Sequence, residues 1–214
     1  MKKSFAVIGL GRFGRNLAKS LCQMGQEVLA VDRNEAPVRA VQEDVTRAVQ
    51  ADTTDERALQ QLEIAEYDCV IVSIGDDIRA SVLTTLLCKE MGAKYLIAKA
   101  FDDMHEKILQ KTGADRVVQP EKDAGVRLAH SLTQVNLLNY LEISPDYSIN
   151  EIGIPKKWVG KSLKELRLRN EYKISVMAIR RNGQILVSPD PDQPMEAEDV
   201  LILLGKNEML GRIR

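Results

Sequence analysis

Residues 6–14 read AVIGLGRFG, and Asp32 closes the next apolar run, VLAVD (28–32). A short β-rich run, Phe5–Ile8, feeds Gly-Leu-Gly-Arg-Phe-Gly, and an amphipathic stretch comes directly after it. This is a G-x-G-x-x-G turn between a strand and a helix. Gly9 permits the tight turn, Gly11 lets the backbone approach a phosphate, and Gly14 lets helix and strand pack closely. The helix beyond it aims free N–H groups and its positive dipole end at a bound phosphate. Asp32 stands 23 residues past Gly9 (32 − 9), near the ~20 expected of an acid that accepts from a ribose hydroxyl. The competing reading is a tight βα turn that binds nothing. The distal acid argues for a nucleotide.

The same alternation continues outward from this turn. Apolar strands read FAVIG, VLAVD, RAVQA, CVIVSIG, YLIAKA and RVVQP, and periodic segments at 12–24, 35–43, 55–62, 77–91 and 103–111 separate them. Short β-rich runs alternating with amphipathic stretches predict βαβ units and a parallel sheet. The fold class is therefore α/β: a doubly wound parallel Rossmann sheet over residues 1–120, with its ligand crevice at the carboxyl ends of the strands. Residues 121–139 (EKDAGVRLAHSLTQVNLLN) read as one helix. Val126, Leu128, Ala129, Leu132, Val135, Leu137 and Leu138 are too many apolar positions for one narrow stripe, so this helix is expected to pack on two partners. It is either a seventh helix on the sheet or a crossover helix buried in a dimer.

Residues 140–214 have a different texture. They hold five of the seven prolines and the short apolar runs ISVMAIRR, QILVS and DVLILLG. Asn182-Gly183 between the first two is a hairpin signal. KSLKEL (161–166) reads as one short helix, and KNEMLGRIR after Gly205 reads as a truncated or frayed last helix. This predicts a small α+β C-terminal domain.

Bulk composition removes several function classes. Thirty basic residues face 31 acidic ones, and aromatics make up 4%. Neither electrostatic capture of nucleic acid nor a base-stacking platform is expected. No apolar run approaches the ~20 residues needed to span a bilayer. Met1-Lys2-Lys3 has the charge of a signal peptide, but the apolar run after it ends in the glycine turn, so a cytoplasmic location is expected. Cys22, Cys69 and Cys88 have no paired spacing and read as small core residues of a reducing compartment.

These motifs resemble those of the RCK proteins, also called KTN or TrkA-type subunits. The resemblance spans essentially the whole chain. It rests on AVIGLGRFG, VLAVDRN, QADTTD, VIVSIGDDIRAS, LIAKA, GADRVVQPEKDAG and KSLKELRLRNEY. In length, domain order and motifs the chain is similar in particular to the ring subunits of Ktr-type uptake systems. The resemblance implies a cytosolic, non-catalytic regulator of a membrane-embedded potassium pore or transporter subunit, peripheral on the inner face of the membrane. It implies ATP/ADP or NAD/NADH in the N-terminal domain, homodimers paired through the 121–139 helix, and an octameric ring of four dimers. Ligand exchange would change the hinge angle within dimers. In some members the smaller domain binds cyclic di-AMP.

Several residues are candidates for ligand contact. Gly9, Gly11, Phe13 and Gly14 lie in the glycine turn. Arg12 stands where an arginine forks onto a terminal phosphate, and the resemblance places a γ-phosphate contact there. The plain alternative is a solvated arginine at a helix start. Asp32 is expected on the ribose and repels a 2′-phosphate, which favours NAD over NADP, although neighbouring Arg33 is of the kind that accommodates such a phosphate. By resemblance Asp52 reads the adenine edge and Thr53 shares that contact; the alternative for Asp52 is capping of the helix at 55–62. Ser73, Ile74 and Gly75 end the fourth strand at the crevice mouth. Lys99, at the end of the fifth, is placed for a phosphate or ribose. By resemblance Glu121 helps hold Mg2+ or another divalent cation beside the terminal phosphate; otherwise it is a charge at a helix N-terminus. In the second domain Leu163 and Arg169 match positions that grip cyclic di-AMP, with Lys164 where the family often has a second aliphatic.

The rival class is an NAD-dependent oxidoreductase. Hydride transfer needs an acid/base group beside the nicotinamide. His105 and His130, the only histidines, fall in predicted helices away from the strand ends. No S-x-x-x-Y-x-x-x-K constellation lies beyond the glycine loop.

Overall fold

The computed structural model describes residues 2–133 and 137–213 and divides into two units, 1–120 and 121–214. In the first unit six strands, β1 (Ser4–Ile8), β2 (Glu27–Asp32), β3 (Arg47–Gln50), β4 (Cys69–Val72), β5 (Leu96–Lys99) and β6 (Arg116–Val118), form one sheet. Their order is β3-β2-β1-β4-β5-β6, and every pairing is parallel. The connections carry α1 (Arg12–Gln23), α2 (Glu35–Arg39), α3 (Glu56–Gln61), α4 (Ile78–Glu90) and α5 (Asp103–Thr112). The doubly wound expectation is met.

The strand sequences explain the layering. Successive side chains in a strand point to opposite faces. Ala6, Ile8, Leu29, Val31, Val70 and Val72 pack on one face with Leu59 of α3 and Cys88 of α4. Val7, Val28, Ala30 and Ile71 pack on the other with Ala18 of α1 and Val38 of α2. Both faces are covered, so the strands read as unbroken apolar runs. Strand order reverses at β1: the chain leaves it toward β2 on one side and returns to β4 on the other, which opens a crevice above the carboxyl end of β1.

The second unit starts with α6 (Pro120–Thr133), whose first residue closes the first unit. Beyond it lie antiparallel strands β7 (Leu137–Ser144), β8 (Tyr147–Gly153), β9 (Ser175–Arg181), β10 (Gln184–Val187) and β11 (Val200–Lys206), in the order β10-β9-β11-β8-β7. Three short helices, α7 (Leu163–Leu166), α8 (Leu168–Glu171) and α9 (Asn207–Leu210), complete it. Asn182 and Gly183 both adopt positive φ, 50° and 78°, the backbone of a two-residue hairpin turn.

Two expectations are corrected, at residues 121–139 and at the last helix, while the short helix expected at KSLKEL is met. The helix expected over 121–139 ends at Thr133, and Leu137, Leu138 and Asn139 belong to β7; residues 134–136 lie outside the described residues. Apolar density does not distinguish a helix from a strand, and the antiparallel partner Tyr147–Gly153, across the Pro145-Asp146 turn, decides the matter. KSLKEL forms α7 under a Ser162/Glu165 capping box, but Arg167 then takes φ 46° and a second helix, α8, starts directly. The last helix is not frayed: Leu210 and Ile213 are buried in the same core as Leu201 and Leu203.

One ion pair ties this unit's sheet to its acidic turn. Asp199, 1% exposed, accepts from Arg181 at 2.7 and 2.6 Å and from the Glu196 N–H at 2.8 Å. Burial pushes its carboxyl up, but Arg181 and the Glu196 amide outweigh burial and hold it below the ordinary value. Between the folded and unfolded values the unfolded chain then binds the extra proton, so the stability this group contributes is lost as pH falls. Asp199→Ala is expected to destabilise the unit by about 1–3 kcal/mol, because it removes two charge-assisted bonds from the Arg181 guanidinium, which keeps only Glu196 and the Pro194 carbonyl. Urea melts should show the full gap to wild type at neutral pH, narrowing only below the ordinary carboxyl value of 3.8.

Candidate functional site

The crevice above β1 is built from close packing of backbone. Gly9 has φ 90° and donates its N–H to Val31 O at 2.8 Å. A Cβ on Gly9 would lie 2.9 Å from Ile74 N, and one on Gly14 would lie 2.0 Å from Gly9 O and 2.5 Å from Ser73 Oγ. A Cβ on Gly11 would meet nothing within 4 Å. Two of the glycines are thus required by protein contacts. The middle one faces open space, where a phosphate has room to reach the backbone. Gly11 is the N-cap of α1 and supplies no side-chain cap, and no acidic residue occupies the first turn. The N–H groups of that turn are left for an anion.

Asp32 fastens the loop from the β2 side. Its Oδ2 accepts from Leu10 N–H at 2.7 Å and its Oδ1 from Asn34 N–H at 2.8 Å. Each carboxylate oxygen keeps a second lone-pair direction, so a ribose hydroxyl can still donate to it. Ser73 fastens the loop from the β4 side: its buried hydroxyl donates to Gly9 O at 2.6 Å. Ser73 therefore supports the loop from within rather than offering a free hydroxyl at the mouth. On the β5 side Lys99 Nζ lies 5.9 Å from the centre of the Phe13 ring, within cation–π range, and a Cβ on Gly75 would stand 3.7 Å from that Nζ. Gly75, Phe13 and Lys99 thus converge, and Arg12 stands exposed at the first position of α1.

In the turn after β3 the capping alternative for Asp52 is not met. Asp52 Oδ1 accepts from Thr54 N–H and Oγ1 at 3.0 and 2.7 Å. These bonds, Thr54's hydroxyl first, hold its carboxyl below the ordinary value, with Arg33's charge adding to the effect. The cap of α3 is Asp55, which accepts from Arg57 N–H, so Asp52 is not the helix cap. Thr53 is buried and its hydroxyl is paired with Thr84 of α4 at 3.0 Å. It braces the turn from inside.

Glu121 stands in the first turn of α6, in the second unit. Among the described residues no cluster of three His, Cys, Asp or Glu side chains could hold a metal. Burial pushes the Cys69 thiol up to about 11 and the Cys88 thiol up to about 12, so neither is a reactive thiolate at neutral pH. His105 is buried in α5, its Nδ1 accepts from Phe101 N–H at 3.2 Å, and burial pushes its pKa down.

The second unit carries a separate open cavity of about 350 Å3, lined by Leu163, Lys164, Arg167, Arg169, Ile174 and Val176 among others. Leu163 and Arg169, singled out from the sequence, share this cavity although one lies in α7 and the other in α8. Lys164 Nζ is held by Asp192 at 2.9 Å. Two residues near the first crevice escape a reading of the sequence, Gln50 and Asp77. Asp77 caps α4, a role visible in the pattern Asp-Ile-Arg-Ala before an apolar periodic run.

A glycine-turn crevice in a doubly wound domain, followed by a small antiparallel unit with its own cavity, defines a two-domain protein of the regulatory class. Residues 5–120 match the TrkA-N domain and residues 151–214 the TrkA-C domain. The chain is 44% identical over 212 residues to Ktr system potassium uptake protein C of Bacillus subtilis (strain 168), covering 99% of this chain and 96% of that one. It is 45% identical over 210 residues to Ktr system potassium uptake protein A of the same organism, covering 98% and 95%. Among solved structures, the GsuK channel bound to NAD shares the fold with a TM-score of 0.69 at 18% identity, over 98% of this chain but 38% of that chain. The chain thus spans well under half the length of that structure. It belongs to the RCK (KTN/TrkA-type) family of regulatory proteins of bacterial potassium transport.

The glycines separate stability from ligand binding. Gly14→Ala is expected to destabilise the first unit by about 1–3 kcal/mol through overpacking and to lower its melting temperature. Gly11→Ala should leave the melting temperature nearly unchanged, because its Cβ meets nothing, while weakening nucleotide binding in a calorimetric titration.

Proposed function

We propose that this chain is the nucleotide-sensing gating subunit of a potassium uptake system, cytoplasmic and attached to the membrane through its pore subunit. The observation that carries this reading is the glycine loop with its middle residue open to the crevice, flanked by Arg12 and by the Asp32 carboxylate. Among the described residues no helix is long and apolar enough to cross a membrane. A gating ligand must bind two conformations with different affinity. Contacts to a terminal phosphate satisfy this requirement, because ATP has that phosphate and ADP lacks it. Arg12 is the discriminator in the first unit. On the family resemblance, Glu121 of a neighbouring subunit contributes one carboxylate to a divalent cation that the phosphates otherwise hold, the usual arrangement for Mg2+ at a nucleotide. NAD and NADH are the alternative pair on the same scaffold. The protein works without chemistry at the nucleotide.

The assembly belongs to the same reading. Val126, Leu128 and Leu132 of α6 are exposed in the single chain, with Leu132 77% accessible. We assign this helix to a homodimer contact, and four dimers to an octameric ring. The cavity of the second unit takes a second ligand, cyclic di-AMP, with Leu163 under a base and Arg169 on a phosphate.

Calorimetry on nucleotide-stripped protein, with ATP, ADP, NADH and NAD as titrants and the particle sized beforehand, tests the reading. Micromolar adenine-nucleotide binding to a particle of about eight chains supports it. A monomer that binds a small substrate only together with NADH overturns it. Arg12→Ala is expected to weaken ATP binding about tenfold, one charge-assisted contact, and to leave ADP within twofold. Equal loss for both refutes the assignment of Arg12. Arg169→Ala should weaken cyclic di-AMP binding about tenfold on the same reasoning without altering ATP affinity.

A further inference from the structure

An exposed ion pair, Arg33–Asp77, joins two of the segments that surround the crevice. Arg33 Nη1 lies 3.4 Å from Asp77 Oδ2. Each partner is anchored. Gln50 Nε2 donates to Arg33 O at 3.1 Å, and Asp77 Oδ1 accepts from Ala80 N–H at 2.9 Å as the cap of α4. Arg33 comes directly after β2, and Asp77 stands between β4 and α4. β2 and β4 flank β1, so the pair arches across the loop at the end of β1. An exposed pair of this kind contributes little stability. Its consequence lies in where it puts the guanidinium.

In a doubly wound nucleotide site an acid at the end of the second strand accepts the ribose 2′-hydroxyl, and a nearby arginine instead accommodates a 2′-phosphate. This chain carries both, side by side, as Asp32 and Arg33. We infer that Asp77 is a specificity-determining residue, which draws the Arg33 guanidinium away from the ribose so that the crevice takes nucleotides with a free 2′-hydroxyl and rejects 2′-phosphorylated ones. The charges on this rim favour that outcome. Arg33 stands among three carboxylates: Asp32 beside it in sequence, Asp77 in direct contact, and Asp52, whose carboxyl feels its charge. On the Arg33 side of the rim one cation stands beside three carboxylates, and a 2′-phosphate brought there meets their negative charge. With the guanidinium released from Asp77 and one carboxylate removed, the same rim gains a fork that matches a phosphate.

The inference rests on the nucleotide reading of the crevice. The full chain, stripped of nucleotide, is titrated with ADP-ribose and with its 2′-phosphorylated form, which share the adenosine diphosphate of both candidate ligand classes. Wild type should favour ADP-ribose by about tenfold or more, and Asp77→Asn should bring the two affinities about tenfold closer, one bidentate charge-assisted contact. That substitution keeps the helix cap, since asparagine caps as well as aspartate. ADP-ribose binding and the melting temperature should stay nearly unchanged. Adding Arg33→Ala to that variant should abolish the gain. If wild type takes both compounds equally, or Asp77→Asn leaves their ratio unchanged, the inference fails while the nucleotide reading stands. If neither compound binds wild type, the nucleotide reading fails and the inference with it.

Discussion

The carboxyl edge of the parallel sheet depends on one contact, the approach of α1 to the turn after β1. At Gly14 the helix comes so near that an added Cβ would sit 2.0 Å from Gly9 O. That closeness brings the first turn of α1 over the end of β1, and with it the N–H groups and the positive end of the helix dipole. Ser73 on one side and Asp32 on the other pin the intervening loop through its backbone. A loop held at both flanks presents its donors without ligand-induced ordering, so less of the binding energy goes into immobilising the site.

The polar groups of the crevice divide into those that build it and those left to act on a ligand. Ser73, Thr53 and Asp52 make their hydrogen bonds within the protein. Asp32 does both: it receives two backbone amides and keeps lone pairs for a ribose. Arg12 stands exposed at the first turn of α1, where contact with a charged ligand does not first require breaking a buried network. The parts that fix the loop therefore do not depend on which ligand the crevice takes.

The second unit is stabilised by other means. Its core is one cluster under a five-stranded antiparallel sheet, and the acidic turn between β10 and β11 is fastened through Arg181 and Asp199. Leu163 and Arg169 face one cavity because Arg167 takes a left-handed conformation and splits the segment into two helices. In a continuous helix those two residues, six apart, would point about 120° apart around the axis.

The sequence by itself determined the doubly wound parallel fold and the glycine turn with its distal acid. Those features are local: a period of two, a period of 3.6 and a few glycines at fixed spacing. Tertiary structure decided what local pattern cannot encode. Residues 137–139 became strand because Tyr147–Gly153 pairs with them, and the C-terminal segment docked because a core was there to receive Leu210 and Ile213. It turned the hydroxyls of Thr53 and Ser73 inward and joined Arg33 to Asp77, 44 residues away. A side chain's partner depends on which distant segment the fold brings alongside it, and no window of neighbouring residues contains that information.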